Sequence, residues 1–213
     1  MKLKMHNTNF IELPNNGKKN KLKSLNSIFK TIAIALLLLI TLTMKAQNKK
    51  IDATKSSINW VGKKVTGQHT GTINIKEGTL VFIKNKLKGG NINVDMSSIK
   101  VTDLKTGEGK EDLEGHLKAD DFFGTTKFAT SNIDFKLISD NGKGSYSVTA
   151  NMTIKDVTSP VKFDILIKDK TATALLKIDR TKFGIKYGSG SFFENLGDKT
   201  ISDEFELNVT LKL

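Results

Sequence analysis

The segment SYSVTANMTIK, Ser145–Lys155, decides the fold class of this chain. Its apolar side chains occupy every second position, and the positions between them are polar. The apolar members are Tyr146, Val148, Ala150, Met152 and Ile154. A period of two is typical of a β-strand that buries one face and exposes the other to solvent.

The same alternation restarts towards the C-terminus at Val161, Ala172 and Phe205, and weaker versions precede it. A chain built of such strands has almost no helix to cover its apolar faces. It must therefore pack sheet on sheet or close into a barrel. The eight predicted strands are Ser57–Val65, Gly71–Ile83, Lys88–Ser97, Lys127–Ile138, Gly144–Lys155, Pro160–Lys168, Thr171–Arg180 and Ile201–Leu213.

The connections between these strands are of two kinds. Asn141-Gly142, Asp169-Lys170 and Lys88–Gly90 indicate the tight turns that hairpins use. Two longer connections break the rhythm. Residues 111–118 place apolar side chains at helical spacing, which predicts a short helix. Residues 181–200 combine four glycines with aromatic residues, which favours a loop at the mouth of a barrel.

The N-terminal region differs in character from the strands. Thr31–Met44 is an uncharged, mostly apolar run of 14 residues that follows several lysines. It is short for a membrane span but suits a signal peptide. We predict an N-terminal extension and signal peptide over 1–46, cleavage after Ala46, and a periplasmic or secreted domain over 47–213. An uncleaved anchor is the alternative interpretation.

Charge and cysteine content restrict the partners of this domain. The whole chain carries a net charge of +12, but residues 47–213 hold 26 basic and 21 acidic residues, or +5. Lysines are spread along the strands and Arg180 is the single arginine, which argues against nucleic acid. The remaining charge allows a weak, transient attraction to an anionic membrane surface. Cysteine is absent, so the predicted exported domain must be stabilised by its core and by the hydrogen bonds of its barrel, without disulfides.

Candidate catalytic or metal-binding residues are few. His69 and His116 lie 47 positions apart and would have to converge with a carboxylate such as Asp120 to bind a metal. Local hydrogen bonding is the interpretation that we favour for both, so we predict neither a metal nor a catalytic residue. Arg180 has two open interpretations, binding a ligand head group or pairing with an aspartate such as Asp203.

Aromatic residues cluster in the two long connections. Phe122 and Phe123 fall in the first connection, and Phe183, Phe192 and Phe193 fall in the second. Each could simply pack in a core. Their grouping favours an open, apolar mouth instead.

Five separate motifs make the chain resemble the YceI-like family of lipid- and polyisoprenoid-binding proteins. In order, they are Trp60-x-Gly62-Lys63-x3-Gly67-x-His69-x-Gly71, Asp95-Met96-x-Ser98-Ile99, His116–Phe123, Met152–Val161 and Asp179–Ile185. The resemblance covers nearly all of residues 52–213. It implies an eight-stranded, antiparallel, lipocalin-like barrel with a long apolar cavity, export from the cytoplasm, and a bound isoprenoid or fatty chain. Two departures stand out, since Asp179 replaces a common Asn and Lys155 replaces a frequent Gly.

We therefore expect an exported protein that carries or sequesters a long-chain apolar molecule, with no other cofactor. Two alternatives remain: a barrel enzyme, an isomerase or hydrolase acting on an apolar substrate, and a stress-response or surface-interaction module. The residues expected to contact the ligand are Trp60, His69, Phe122, Phe123, Phe128, Phe135, Phe163, Arg180, Phe183 and Phe192.

Overall fold

A computed structural model describes residues 29–32 and 46–213. The compact unit that holds the strands runs from Ala46 to Leu213. Apart from the helical residues 29–32, the predicted signal peptide lies outside the described residues, so cleavage after Ala46 stays a prediction. Within the described ranges, no helix combines the length and apolar character needed to cross a bilayer.

Residues 46–213 form nine strands, one α-helix and two short 3-10 helices. The 3-10 helices are Arg180–Phe183 and Gly197–Lys199. The strands and the helix are β1 (Gln47–Lys50), β2 (Ser57–Lys64), β3 (Gly67–Ile83), β4 (Lys86–Val101), α1 (Lys110–Lys118), β5 (Thr130–Gly142), β6 (Ser145–Ile154), β7 (Val157–Lys168), β8 (Thr171–Asp179) and β9 (Ile201–Lys212).

Eight of these strands close into a barrel. From β2 to β9 each strand pairs antiparallel with the next, and β9 returns to pair with β2. The ninth strand, β1, pairs with the distal half of β3, where Gln47 lies opposite Phe82. The predicted eight-stranded antiparallel barrel with a short helix near 111–118 is confirmed, and β1 is an addition to it.

The alternation places its apolar members inside the barrel. Met152, Ile154 and Ile165 are buried, and Leu207 and Val209 pack against the same core. Polar residues between them face outward. This is the strand register that the alternation of the sequence predicts.

The turns correct two predictions. Asp169-Lys170 does connect β7 to β8, but the β5–β6 turn is at Lys143-Gly144, just after the predicted Asn141-Gly142. Lys88–Gly90 is wrong as a turn, because it lies inside β4 and the turn precedes it at Lys84-Asn85. Gly90 serves packing instead: a Cβ there would approach Leu80 to 2.8 Å and Phe135 to 2.9 Å.

The two ends of the barrel differ in how they are filled. The hairpin end carries the tight turns at residues 84–85, 143–144 and 169–170. The loop end carries α1 and the connection over residues 180–200. Near the hairpin end the interior is packed by side chains that are at most 2% exposed, including Leu80, Leu87, Ile165 and Leu211. Free space in the interior therefore lies towards the loop end.

Candidate ligand cavity

The interior near the loop end contains a cavity of about 130 Å³. Strands β2, β3, β4, β5, β6 and β9 contribute to its wall, together with α1 and the segment after it. Its lining is mostly apolar and includes Ile58, Trp60, Ile73, Met96, Ile99, Leu117, Phe122, Phe123, Ile133, Met152, Ile154, Phe205 and Leu207. Polar groups, among them Lys63, Asn132 and Glu204, also reach the wall.

The free volume limits what fits without rearrangement. An apolar cavity of about 150 Å³ stays dry and accepts benzene. The cavity here is of the same order, so a longer chain must displace side chains. Met96 and Met152 lie in the wall, and their unbranched thioether side chains change shape at low cost.

Phe122 and Phe123 form the end wall of the cavity. They follow α1 in a tight turn in which the Phe123 N–H donates to the Leu117 carbonyl at 3.2 Å. Gly124, at φ 57°, continues that turn, and its N–H donates to the Ala119 carbonyl at 2.8 Å. The two rings meet edge to face at 5.0 Å and are 7% and 8% exposed. Both rings are buried in the wall, whereas the clustering of phenylalanines predicted an open mouth.

The remaining predicted phenylalanines lie away from the cavity. Phe135 and Phe163 pack edge to face at 5.5 Å inside the barrel. Phe128 is half-buried against Gly124, and Phe183 is 1% exposed beneath the second long connection. Phe192 is 48% exposed at the surface. None of these five belongs to the cavity lining.

His69 is a surface residue of the loop end. Its Nδ1 lies 2.9 Å from Asp103 Oδ2, and the Thr70 N–H donates to Asp103 Oδ1 at 2.9 Å. Burial opposes ionisation of the Asp103 carboxyl, but these two hydrogen bonds lower its pKa below the usual value. His69 is thereby held by a local carboxylate and does not line the cavity.

Arg180 lines the cavity, but its side-chain N–H groups donate to backbone carbonyls. The side chain is 2% exposed, and its guanidinium carbon lies 5.8 Å from the centre of the Phe122 ring. Burial lowers the pKa of Arg180, and the nearby Asp203 and Asp179 oppose that shift. Asp203 lies 3.6 Å from Nη2. The four carbonyls that accept from Arg180 belong to Ser202, Ile185, Tyr187 and Ile201, at 2.9, 3.0, 2.8 and 3.1 Å.

These bonds favour the structural interpretation of Arg180. The guanidinium fastens the second long connection to the start of β9, so little of its donor capacity remains for a head group. Asp179 plays a separate part, because its carboxylate accepts from the Thr181 N–H at 3.0 Å and caps the 3-10 helix. The sequence alone leaves both interpretations of Arg180 open, binding a head group and pairing within the protein.

Trp60 packs its indole against the backbone of the neighbouring strand. It lies opposite Gly71 on β3, where a Cβ would come within 2.3 Å of the indole Cζ2 and 1.9 Å of the Lys100 carbonyl oxygen. Trp60 is 8% exposed and lines the cavity. Of the ten predicted residues, the structure brings four to the cavity wall: Trp60, Phe122, Phe123 and Arg180. Their contact with a ligand stays a prediction.

The barrel wall is split between β7 and β8, a feature that sequence reasoning missed. These strands pair only where residues 165–168 meet 171–174. Beyond that point, residues 157–164 of β7 have no partner in β8. The 3-10 helix Arg180–Phe183 contacts β7 here, and Phe183 and Ile185 are 1% and 0% exposed. Side chains of this segment, rather than hydrogen bonds, therefore seal the split.

Asp120 and His116, two of the residues considered as catalytic or metal-binding candidates, do not line the cavity. Asp120 pairs with Lys127 at 2.6 Å on the surface. His116 lies between aromatic rings, 4.3 Å from Tyr187 and 5.5 Å from Phe122. Among residues 29–32 and 46–213, no three His, Cys, Asp or Glu side chains cluster as metal ligands would.

Comparison with known proteins identifies a family. A family model described as the YceI-like domain matches residues 50–213. A curated relative, the UPF0312 protein of Shewanella denitrificans, is 28% identical over 91 residues, covering 43% of this chain and 45% of that protein. Another, from Shewanella sp., is 30% identical over 64 residues, covering 30% and 34%. The matched segments thus span less than half of these relatives.

Solved structures share the fold at low identity. BcnA of Burkholderia cenocepacia aligns with a TM-score of 0.57 and 20% identity, covering 76% of this chain and 98% of that one. A polyisoprenoid binding domain from Saccharophagus degradans, implicated in plant cell wall breakdown, aligns with a TM-score of 0.54 and 14% identity, covering 78% and 97%. At these identities the likeness is one of fold.

Proposed function

Because the chain belongs to the YceI-like domain family, we propose that it binds a long apolar molecule, an isoprenoid or an acyl chain, inside its barrel. The observation that carries the proposal is the apolar cavity at the loop end. The polyisoprenoid binding domain of Saccharophagus degradans, which shares the fold, supports the same ligand class. In this proposal the protein carries or sequesters the ligand and does not transform it.

The driving force is removal of the chain from water. Each buried methylene contributes about 0.8 kcal/mol, so about 15 contribute roughly 12 kcal/mol. Association costs at least about 4 kcal/mol. The remainder is at most about 8 kcal/mol, which corresponds to a micromolar dissociation constant, and displacing wall side chains such as Met96 and Met152 reduces it. Few polar contacts are needed, which agrees with the lining of the cavity.

We further propose that the protein works outside the cytoplasm and collects its ligand at a membrane surface. The signal-like run Thr31–Met44 motivates the first part. The second rests on Tyr187, Phe192 and Phe193, which are 46%, 48% and 50% exposed in the second long connection at the loop end. Residues 184–200 contain two lysines and two acidic residues, so their contact with a membrane would be apolar rather than electrostatic.

A cavity-filling substitution tests the proposal without unfolding the barrel. Ile133 on β5 lines the cavity, so Ile133→Phe adds its extra atoms to free space. Leu137→Phe on the same strand is the matched control, because Leu137 is 69% exposed. We expect Ile133→Phe to weaken binding of a fluorescent fatty acid at least tenfold and Leu137→Phe to leave it unchanged.

Native protein should also yield a lipid when it is extracted with solvent and examined by mass spectrometry. An empty extract, together with failure of fluorescent fatty acid and isoprenoid probes to bind at micromolar concentration, would overturn the proposal. Chemical change of the bound lipid that stops in a His116→Ala protein would favour the barrel enzyme instead.

A further inference from the structure

The indole N–H of Trp60 is a hydrogen-bond donor without an acceptor. Within the part of the chain that the structure describes, Trp60 Nε1 is buried and has no hydrogen-bond partner. Buried tryptophan N–H groups usually find a partner. One left unpaired costs on the order of 1–3 kcal/mol. Such a group in a folded protein calls for an explanation.

The packing around Trp60 holds this donor in place. The ring edge that includes Cζ2 and Cε2 lies against Gly71, where a Cβ would come within 2.3 and 2.5 Å of these atoms. The Lys100 carbonyl lies 1.9 Å from the same point, so the backbone leaves no space for a side chain. Glycine at position 71 therefore lets the indole stay inside the barrel.

The inward side chains around the ring offer a buried water molecule no polar partner. A buried water needs two to four polar partners. The neighbours of Trp60 on the inner face are Ile58, one alternation away on β2, Ile73 on β3 and Leu207 on β9. All three line the cavity and offer no polar side-chain atom. A ligand in the cavity can supply the acceptor for Nε1 that these side chains do not.

The wall also indicates the charge of that acceptor. Arg180, a cation in the lining, already donates to four backbone carbonyls, and its charge is offset by Asp203, 3.6 Å from Nη2. Lys63 pairs with Glu206 at 2.9 Å and is half exposed. A carboxylate or phosphate inside the cavity would lack a free counter-ion, and burying an unpaired charge is far more costly than burying a neutral acceptor.

We propose that the ligand carries a neutral oxygen acceptor, such as a ketone or ester carbonyl, that accepts a hydrogen bond from Trp60 Nε1 within the cavity. The inference rests on the proposed function, since it presumes that an apolar chain enters the barrel. It adds a recognition element to that function. Chain burial supplies most of the affinity, and Trp60 selects a neutral carbonyl over a plain hydrocarbon or an anion.

Three probes with twelve carbons each test the inference: dodecane, 2-dodecanone and dodecanoate. Trp60 is the only tryptophan in the 213 residues, so a ¹⁵N-labelled protein gives a single indole N–H signal. We expect 2-dodecanone to move the indole proton downfield and dodecane to leave it without that shift. Dodecanoate should bind more weakly than the ketone.

A binding cycle with Trp60→Phe measures the hydrogen bond itself. The ratio of the dissociation constants for dodecane and 2-dodecanone is measured in the wild-type protein and in Trp60→Phe. Dividing the first ratio by the second cancels the different water affinities of the probes. The quotient should be about tenfold, the effect of one hydrogen bond. If Trp60→Phe does not fold, the indole shift of the wild-type protein decides alone.

The outcomes separate this inference from the proposed function. If neither dodecane nor 2-dodecanone binds, both fall. A second outcome is that both probes bind while the indole signal does not move and the cycle ratio is near one. In that case the hydrogen bond is refuted and chain binding stands. If dodecanoate binds more tightly than the ketone, the neutral acceptor is wrong.

Discussion

Arg180→Met should lower the free energy of unfolding by about 4 kcal/mol if Arg180 is a structural clamp. The substitution leaves four carbonyls without their donor. The bond to the Ile185 carbonyl is buried, and losing it costs about 2 kcal/mol. The other three bonds are partly buried, so water can replace the donor and each costs about 0.7 kcal/mol. In a domain of this size the melting temperature should fall by about 8–16 °C.

Thermal and urea denaturation of Arg180→Met and Lys182→Met measure this effect. Lys182 is a matched control because it lies in the same 3-10 helix, its side chain is 61% exposed, and its nearest carboxylate oxygen, on Asp179, is 3.9 Å away. An exposed pair of this kind contributes at most about 0.5 kcal/mol. Lys182→Met should therefore unfold like the wild-type protein.

Ligand binding distinguishes the clamp from a head-group site. With the clamp, the ratio of the dissociation constants for dodecanoate and 2-dodecanone should be the same in Arg180→Met and in the wild-type protein. The reasoning is refuted if Arg180→Met is as stable as wild type and loses affinity for dodecanoate tenfold or more. That result would make Arg180 a receptor for anions.

Three further outcomes follow from the structure. Gly71→Ala should lower the free energy of unfolding, measured by urea denaturation, by about 3 kcal/mol because its Cβ would overlap the Lys100 carbonyl. Gly62→Ala, whose Cβ would lie 3.9 Å from the Trp60 indole, should lower it little. Equal effects of the two substitutions would contradict this. Replacing both Phe192 and Phe193 by serine should weaken binding to phosphatidylcholine vesicles, measured by sedimentation, about thirtyfold, because each half-exposed ring contributes about 1 kcal/mol. Strong salt dependence of that binding would argue against apolar contact. Because the pKa of Asp103 is lowered in the folded state, its carboxylate stabilises the fold at pH values above 3.8, and this contribution is lost as the pH falls through the lower folded-state pKa. Asp103→Asn should therefore be less stable than the wild-type protein at pH 6 but not near pH 2. An equal loss of stability at both pH values would refute the role of ionisation.

The strands of the barrel could be predicted because their alternation is set by burial. One inner face forces apolar residues into every second position, as in Ser145–Ile154, and the pattern is visible without any neighbour. β1 escaped prediction because Gln47–Lys50 is polar throughout and pairs at the outer edge of β3. Gly90 was misread because glycine permits a turn and a close approach equally, and only the neighbouring Phe135 shows which applies.

The site was harder to predict than the fold. Inward residues look alike at both ends of the barrel, so alternation alone cannot show that Leu80 fills one end while Ile133 lines a cavity at the other. Of the phenylalanines in the long connections, Phe122 and Phe123 line the cavity and Phe183, Phe192 and Phe193 do not. Their directions were not predictable, because whether Phe183 is buried or Phe192 exposed depends on how the connection folds back onto β7.

The split between β7 and β8 has a consequence for solubility. If the segment around Phe183 lifts away, residues 157–164 become a free strand edge, the kind of surface that recruits other chains into aggregates. The sequence of this stretch opposes such growth. Pro160 has no N–H to offer an incoming strand, and Lys162 places a charge beside it. If the barrel opens along this line, Pro160 and Lys162 keep the risk of self-association low. Pro160→Val with Lys162→Val should therefore make the protein aggregate faster when it is warmed.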